Sequence, residues 1–278
     1  MSISDRCLMV FLTVTKPQMT KKDVEVSKEV ADDKNASSES VAVIKKLYPK
    51  HLIQPIVDIE SAARRYVDHM TGSTNIRGFN VLPSKLFMPF QEGIGVHKLQ
   101  FDQAVTVFLM NFANVMMAAQ SSQGDMFNRS EYPDLSDLKK QFTFTVQYIP
   151  MGKVDTVMLD LEKDSLADLK TTMAEQEQER FRVMMADAYA RLHAAVKRIH
   201  TQCSKPDGKI YDTLTGNLKE LLEILPAMNL TEDPKFDKLC VDAQRLLVSP
   251  VAIKTTPGVR ESTAATADEI LKAMEGFL

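Results

Sequence analysis

The sequence predicts an α+β fold: a small antiparallel sheet packed with helices, followed by a long helical hairpin or three-helix unit. Three observations carry it. The run Cys7–Thr15 is rich in β-branched and aromatic residues and stops at Lys16-Pro17, as a strand does. In residues 142–149, FTFTVQYI, Phe142, Phe144, Val146 and Tyr148 alternate with Thr143, Thr145 and Gln147, so one face is apolar and the other polar. After Asp164 the apolar spacing changes to threes and fours and holds, with short breaks, to residue 247. Strands this few and this scattered do not build a doubly wound sheet.

Taken in order, residues 18–40 are polar and serine-rich and read as a loop or marginal helix. Residues 41–47 read as one short helix. Pro55 reads as the opening of the next, in the first turn where a missing N–H costs nothing, with Ile56, Ile59, Ala63, Tyr66 and Met70 on one stripe. Residues 71–78 read as a loop, residues 79–82 as a short strand stopped by Pro83, and Gly93 with Gly95 as a turn. Residues 101–119 are apolar nearly all round, as in a helix buried on most faces. Pro133-Asp134 opens one or two helical turns, and residues 154–161 read as a partner strand for 142–149.

Ser165 with Asp168 resembles a capping box at the head of a helix of roughly 25–38 residues by periodicity. Pro206-Asp207-Gly208 turns the chain, a second helix follows from Ile210 to Leu225 and ends at Pro226, and Asp233-Pro234 opens a third. Residues 249–266 read as extended, with a small amphipathic piece after them. The expected organisation is an α+β domain with a basic and aromatic surface over residues 1–160, a helical hairpin or bundle over 161–247, and an extended tail over 248–278.

Composition narrows the function. A net charge of −3 gives no bulk attraction to nucleic acid or anionic lipid, so any such attraction must be local. Cys7, Cys203 and Cys240 are odd in number and offer no CxxC pair, which argues against a disulfide framework or zinc site and for a reducing cytoplasm. No apolar run approaches the roughly 20 residues that span a bilayer, so no membrane partner is expected. His193 and His200 share a helix face but lack a third metal ligand. Gly72-Ser73-Thr74 lacks the lysine and spacing of a phosphate-binding loop, Gly93-Ile94-Gly95 lacks the third glycine of a dinucleotide loop, and no GxSxG motif is present. The expectation is a non-enzymatic protein without metal or cofactor.

Between Val41 and Lys98 eight cations face four acids, so this segment is +4 and the remainder of the chain carries −7. Single-stranded nucleic acid asks for this mixture: cations along a groove for phosphates, and rings on which unpaired bases stack at about 1–3 kcal/mol each. The candidate phosphate contacts are Lys45, Lys46, Lys50, Arg64, Arg65, Arg77 and Lys85. The candidate stacking rings are Phe79 and Phe87, with Tyr48 a lesser one, and the Gly-containing loop at 71–78 offers a close approach to the backbone. The competing reading makes the rings core and the cations solvated.

The stretch YDTLTGNLKELLEILPAMNLTEDPKFDKL resembles an uncharacterised family of phage and mobile-element proteins, in which a helix bearing N-L-x-E-L ends at a proline and L-N-[IL]-T-x-D-P begins the next. Asn217, Leu218, Glu220, Leu221, Pro226, Asn229, Leu230, Thr231, Asp233 and Pro234 carry the likeness, with Met228 where a leucine is usual. Arg64-Arg65-Tyr66, Gly78-Phe79 and Val81-Leu82-Pro83 are similar too. The family's tryptophan-bearing basic motif has no counterpart, since the chain has no Trp. Members of this family are often encoded beside MoxR-like AAA+ ATPases, which implies an adaptor role.

In size, class and charge layout the chain also resembles Drc-type proteins, the single-stranded-DNA-binding RNA polymerase cofactors of podoviruses. That likeness implies a protein of the infected bacterial host's cytoplasm that binds single-stranded DNA and recruits RNA polymerase or replication proteins. The long C-terminal helices are the expected site of self-association into a homo-oligomer or of polymerase contact. The alternative is a partner of a MoxR-like ATPase with no nucleic-acid binding.

Overall fold

The computed structural model describes residues 3–151, 162–205 and 207–276. The strands are β1 (Cys7–Thr15), β2 (Thr20–Asp23), β3 (Val43–Lys46), β4 (Asn80–Pro83) and β5 (Thr143–Pro150). The helices are α1 (Val24–Asp33), α2 (Lys50–Met70), α3 (Phe87–Met110), α4 (Phe112–Gln123), α5 (Leu135–Lys140), α6 (Lys163–Ser204), α7 (Thr213–Met228), α8 (Pro234–Gln244), α9 (Pro250–Thr255) and α10 (Val259–Ala273). The fold is α+β, with a small three-stranded antiparallel sheet ordered β4-β1-β5 and a separate ribbon of β2 and β3. The chain divides into two units, and each draws on separated stretches.

The first unit comprises Met1–Phe11, Val67–Phe90 and Tyr148–Leu278. Within it β1 pairs antiparallel with β4, from Cys7 opposite Pro83 to Val10 opposite Asn80. Its helical core forms because α6 presents Phe181, Met184, Ala188, Leu192, Val196, Ile199 and Cys203 on one line at three-and-four spacing. Leu214, Leu218, Leu221 and Leu225 of α7 and Thr263, Ala267 and Ile270 of α10 are the matching buried rows. Helix α6 starts after Glu162, whose side chain makes no capping hydrogen bond, so the expected Ser165 box is not at its head. At its other end Arg260 gathers last-turn carbonyls that a helix leaves unpaired, with Nε donating to Cys203 O at 3.2 Å and Nη2 to Gln202 O at 2.9 Å, and Nη2 also donates to Gly208 O in the following turn at 2.8 Å. The segment expected to be extended, 249–266, is therefore helical in large part. Its alternation of small and apolar residues hid a face that buries Ile253, Thr263 and Ala267.

The motif joining α7 to α8 is a folding device. Asn229 Nδ2 donates to Asp233 O at 2.9 Å and to Asp237 Oδ1 at 2.8 Å, while its Oδ1 accepts from Asp233 N at 2.8 Å. Asp233 caps α8 by accepting from Lys235 N at 2.9 Å, and its other oxygen accepts from the Tyr189 hydroxyl at 2.7 Å. That tyrosine bond holds the Asp233 carboxyl below the usual carboxylate range. Its stabilising effect is thus present at neutral pH and is lost as pH falls through the depressed folded value. Asn229→Ala is expected to lower the unfolding free energy by about 2–3 kcal/mol, since these three hydrogen bonds and a longer fourth from the Thr231 hydroxyl go at a site that is largely closed to water; urea denaturation measures it.

The second unit comprises Leu12–Tyr66 and Gln91–Gln147. Its buried residues include Ile53, Ile56 and Ala63 of α2 and Phe101, Val105, Phe108, Val115 and Ala119 of α3 and α4. Tyr48 meets Phe108 edge-on at 5.8 Å and Tyr132 at 5.6 Å, and the Tyr132 hydroxyl donates to Leu47 O at 2.7 Å. Three readings change here. Residues 43–46 are a strand and not a helix. Helix α2 starts at Lys50, so Pro55 lies inside it. Gly93 and Gly95 lie within α3. Gly93 is required by packing, because a Cβ there would overlap the Tyr66 ring. Gly93→Ala is therefore expected to destabilise despite alanine's better helix propensity, by about 1–3 kcal/mol as overpacking does, with a fall in thermal midpoint as the readout. The partner strand expected over 154–161 lies outside the described residues.

Candidate nucleic-acid interface

The β2–β3 ribbon sets the geometry of a basic groove in the second unit. Thr20 lies opposite Lys46, Lys21 opposite Lys45, Lys22 opposite Ile44 and Asp23 opposite Val43. Directly opposed residues share a face. One face therefore carries Thr20, Lys22, Ile44 and Lys46, all exposed, while Asp23, Val43 and Lys45 turn the other way and are buried or half-buried. After Lys46 the chain crosses Leu47-Tyr48-Pro49 and starts α2, which puts Lys50 and His51 in that helix's first turn. Between them opens a groove of about 600 Å³, lined by Ile44, Lys45, Lys46, Tyr48, Pro49, Lys50 and His51, by Ala118, Ser122 and Gln123 of α4, and by Met126 in the turn that follows α4. No carboxylate is among its lining residues. Lys22, Lys46, Lys50 and His51 have no ion-pair or hydrogen-bond partner for their side chains among the described residues. The positive end of the α2 dipole borders the same space. The arrangement can hold polyanionic oxygen, with Ile44 and the His51 ring as contacts for flat groups.

Lys45 lies under this groove and is a correction to the sequence reading. Its side chain is 5% exposed, and its ammonium donates to Met126 O at 2.8 Å and pairs with Glu131 at 2.7 Å and Asp23 at 3.3 Å. Burial alone pulls this ammonium down, but the bonds and charges of Glu131 and Asp23 outweigh it and hold it above the usual lysine range. A cation so enclosed binds its own acids and has no reach to a phosphate. Tyr48 is corrected too: it borders the groove but is only 2% exposed, and burial pushes its hydroxyl up to about 12, so it is a core ring.

The other candidates divide between the units. In the second unit Arg64 and Arg65 are exposed on α2, 14 residues beyond Lys50 and His51 respectively, hence about 21 Å further along the helix. Arg64 is already engaged: its Nη2 and Nε donate to Glu60 Oε1 at 2.9 and 3.2 Å, and Lys16 holds the same carboxylate. Burial alone raises Glu60, yet these two cations carry it below its ordinary value. Arg65 has no such partner among the described residues.

In the first unit Arg77 and Lys85 are exposed. Lys85 lines a cavity of about 320 Å³ with Arg6, Ser84, Asn229 and Glu232, where Arg6 and Glu232 form an ion pair. Phe79 and Phe87 are half-buried and each leans on another ring, Phe11 at 5.0 Å and Tyr148 at 5.6 Å. The loop at 71–78 is committed to packing. Gly72 bridges to Val81 and leaves room for Met184, Ser73 N donates to Asp187 Oδ2 at 3.1 Å, and Gly78 adopts φ +85° against the Phe11 ring. Of the nine proposed contacts Lys45, Lys46 and Lys50 line one groove, with the Lys45 ammonium turned to its own acids; Arg64 and Arg65 lie further along α2, and the other four belong to the first unit.

Lys22, Ile44 and His51 were missing from that set. The alternation of Lys22, Ile44 and Lys46 across the ribbon was the available signal, and reading 41–47 as helix concealed it. Among the described residues no cluster of His, Cys, Asp and Glu could hold a metal ion, and no single helix is long and apolar enough to cross a membrane. No protein-family model, curated protein or solved structure matches the chain.

Proposed function

We propose that the protein binds single-stranded DNA through the groove of the second unit and acts without catalysis, as a cofactor that brings RNA polymerase or replication proteins to unwound DNA. One observation carries the binding half: Lys46, Lys50 and His51 rim a single groove with Ile44 at its edge, and no acid lines it. Phosphates neutralised there would release counterions, which is the main source of affinity for sequence-independent binders. The half-buried Phe79 and Phe87 reduce the part assigned to ring stacking, so the reading rests on phosphate contact, with His51 as the ring at the groove. The recruiting half rests on the resemblance to podoviral polymerase cofactors.

Fluorescence anisotropy of a labelled oligothymidylate, titrated at several salt concentrations, tests the reading. Three contacts, from Lys22, Lys46 and Lys50, give a log–log salt slope of about −2, at about −0.7 per phosphate. A hairpin duplex of the same length should bind more weakly. A flat titration against both probes removes nucleic acid from the account and leaves the ATPase-adaptor alternative.

A further inference from the structure

The outer face of α3 carries an apolar stripe that no described residue covers. Val96, Leu99, Val107 and Met110 are 53, 58, 59 and 80% exposed. With Gln103 as the centre they sit seven and four residues before it and four and seven after it. At 100° per residue all four lie within about 40° of Gln103, on one line along the helix. The pattern reads the same in both directions. Between Gly95 and Met110 the only acidic or basic residues besides His97 are Lys98 and Asp102, which pair with each other at 2.8 Å.

Gly95 adds an independent observation. A glycine inside a helix costs about 1 kcal/mol relative to alanine. Gly93 has a reason in the Tyr66 ring, but a Cβ at Gly95 would meet open space. Among the described residues nothing calls for a glycine there; it lies about 80° round the helix from Gln103, at the flank of the stripe, where a missing side chain leaves room for a second helix.

We propose that this face joins two copies of the chain, with α3 packed antiparallel on α3 about a two-fold axis through Gln103. Antiparallel pairing on that axis sets Val96 against Met110 of the second copy and Leu99 against Val107 of the second copy. Gln103 meets Gln103 of the second copy, and an amide supplies both donor and acceptor, so it satisfies its own image. Two-fold interfaces require this kind of self-complementarity. The balanced charge removes the repulsion that a copy would otherwise meet, and depletion of charge with methionine and aliphatic residues is the composition of an interface centre.

The helix from Ser84 to Met110 and α4, bent by 67° at their break, also pass for a broken membrane span by length and composition. Their inner side is occupied, however, because Phe101, Val105 and Phe108 are buried. The proposal is independent of DNA binding.

Single-cysteine variants in the full chain test it, since the native thiols are buried and react slowly. Gln103→Cys should form a cross-linked dimer under mild oxidation. Val96→Cys and Met110→Cys should cross-link readily when mixed and much more slowly alone. Sedimentation equilibrium should show a concentration-dependent dimer that Leu99→Glu weakens at least about 30-fold, as loss of an interface hot spot does. Gly95→Ala should raise the thermal midpoint of the dilute monomer while weakening the dimer. A monomer at every concentration, cross-linking of Val96→Cys alone as fast as of Gln103→Cys, or vesicle binding without dimer formation would each overturn the proposal.

Discussion

Exchanging Lys46 and Lys50 together for glutamate is expected to lower the affinity for a labelled oligothymidylate by about 100-fold at low salt. Each lost contact is worth about 1.4 kcal/mol, or tenfold. The same pair should flatten the salt dependence by about 1.4 log–log units, two contacts at about 0.7 each. Both side chains are exposed and lack partners among the described residues, so their exchange leaves the core of the second unit untouched and the variant should melt with the native protein. Arg77→Glu with Lys85→Glu makes the control: it changes the net charge equally but in the first unit, and should alter affinity by no more than about threefold, the long-range share of a change in net charge. Equal loss from both pairs would mean that binding follows net charge and has no address at the groove.

Lys45→Met should act on stability instead. The exchange leaves Asp23 facing a neutral side chain and Glu131 with Lys21 at 3.5 Å as its remaining cation, and removing one partner of an enclosed ion cluster costs about 3 kcal/mol. Urea denaturation at neutral pH measures it. The pH dependence has a definite sign. The native ammonium is held above the usual lysine range, so its contribution is complete below the unfolded value and is lost only as pH rises through the folded one. At the acid end Asp23, held low chiefly by the Val26 amide and further by Lys45, keeps its contribution until pH falls through its depressed value. The gap between native protein and variant should therefore narrow as pH falls through the depressed value of Asp23. Binding of the folded variant should stay within about threefold of native, because the Lys45 charge is enclosed by its own acids. A large loss of affinity with unchanged stability would place Lys45 at the groove surface and contradict its burial.

The strands and long helices were legible because period reports environment. Residues 7–15 and the alternating 142–149 run fold as strands, and the three-and-four spacing after Asp164 gives α6, α7 and α8 with Asp233-Pro234 at a helix start. Short elements were harder. Residues 43–46 are too few to show a period, and the ribbon with residues 20–23 depends on a pairing partner that local sequence does not name. Lys45 and Lys46 are neighbours of one type, yet strand alternation turns one inward among acids and the other outward to solvent. That difference decides which can meet a phosphate. Glycines misled for a related reason: Gly93 and Gly95 look like a turn, and it takes the Tyr66 ring across the helix to show why one of them belongs inside α3. The α9–α10 segment hid because Thr263 and Ala267, small and weakly apolar, supply the buried face.

The most direct test of the account is photocross-linking of an oligonucleotide bearing 4-thiothymidine to the native chain, followed by mass spectrometry of the joined peptides. The account predicts adducts on the ribbon and the start of α2, around Lys22, Ile44 to Lys46 and Lys50 to His51, and on the end of α4 around Gln123, all lost at high salt. Adducts confined to the first unit, or none at conditions where anisotropy reports binding, would contradict it.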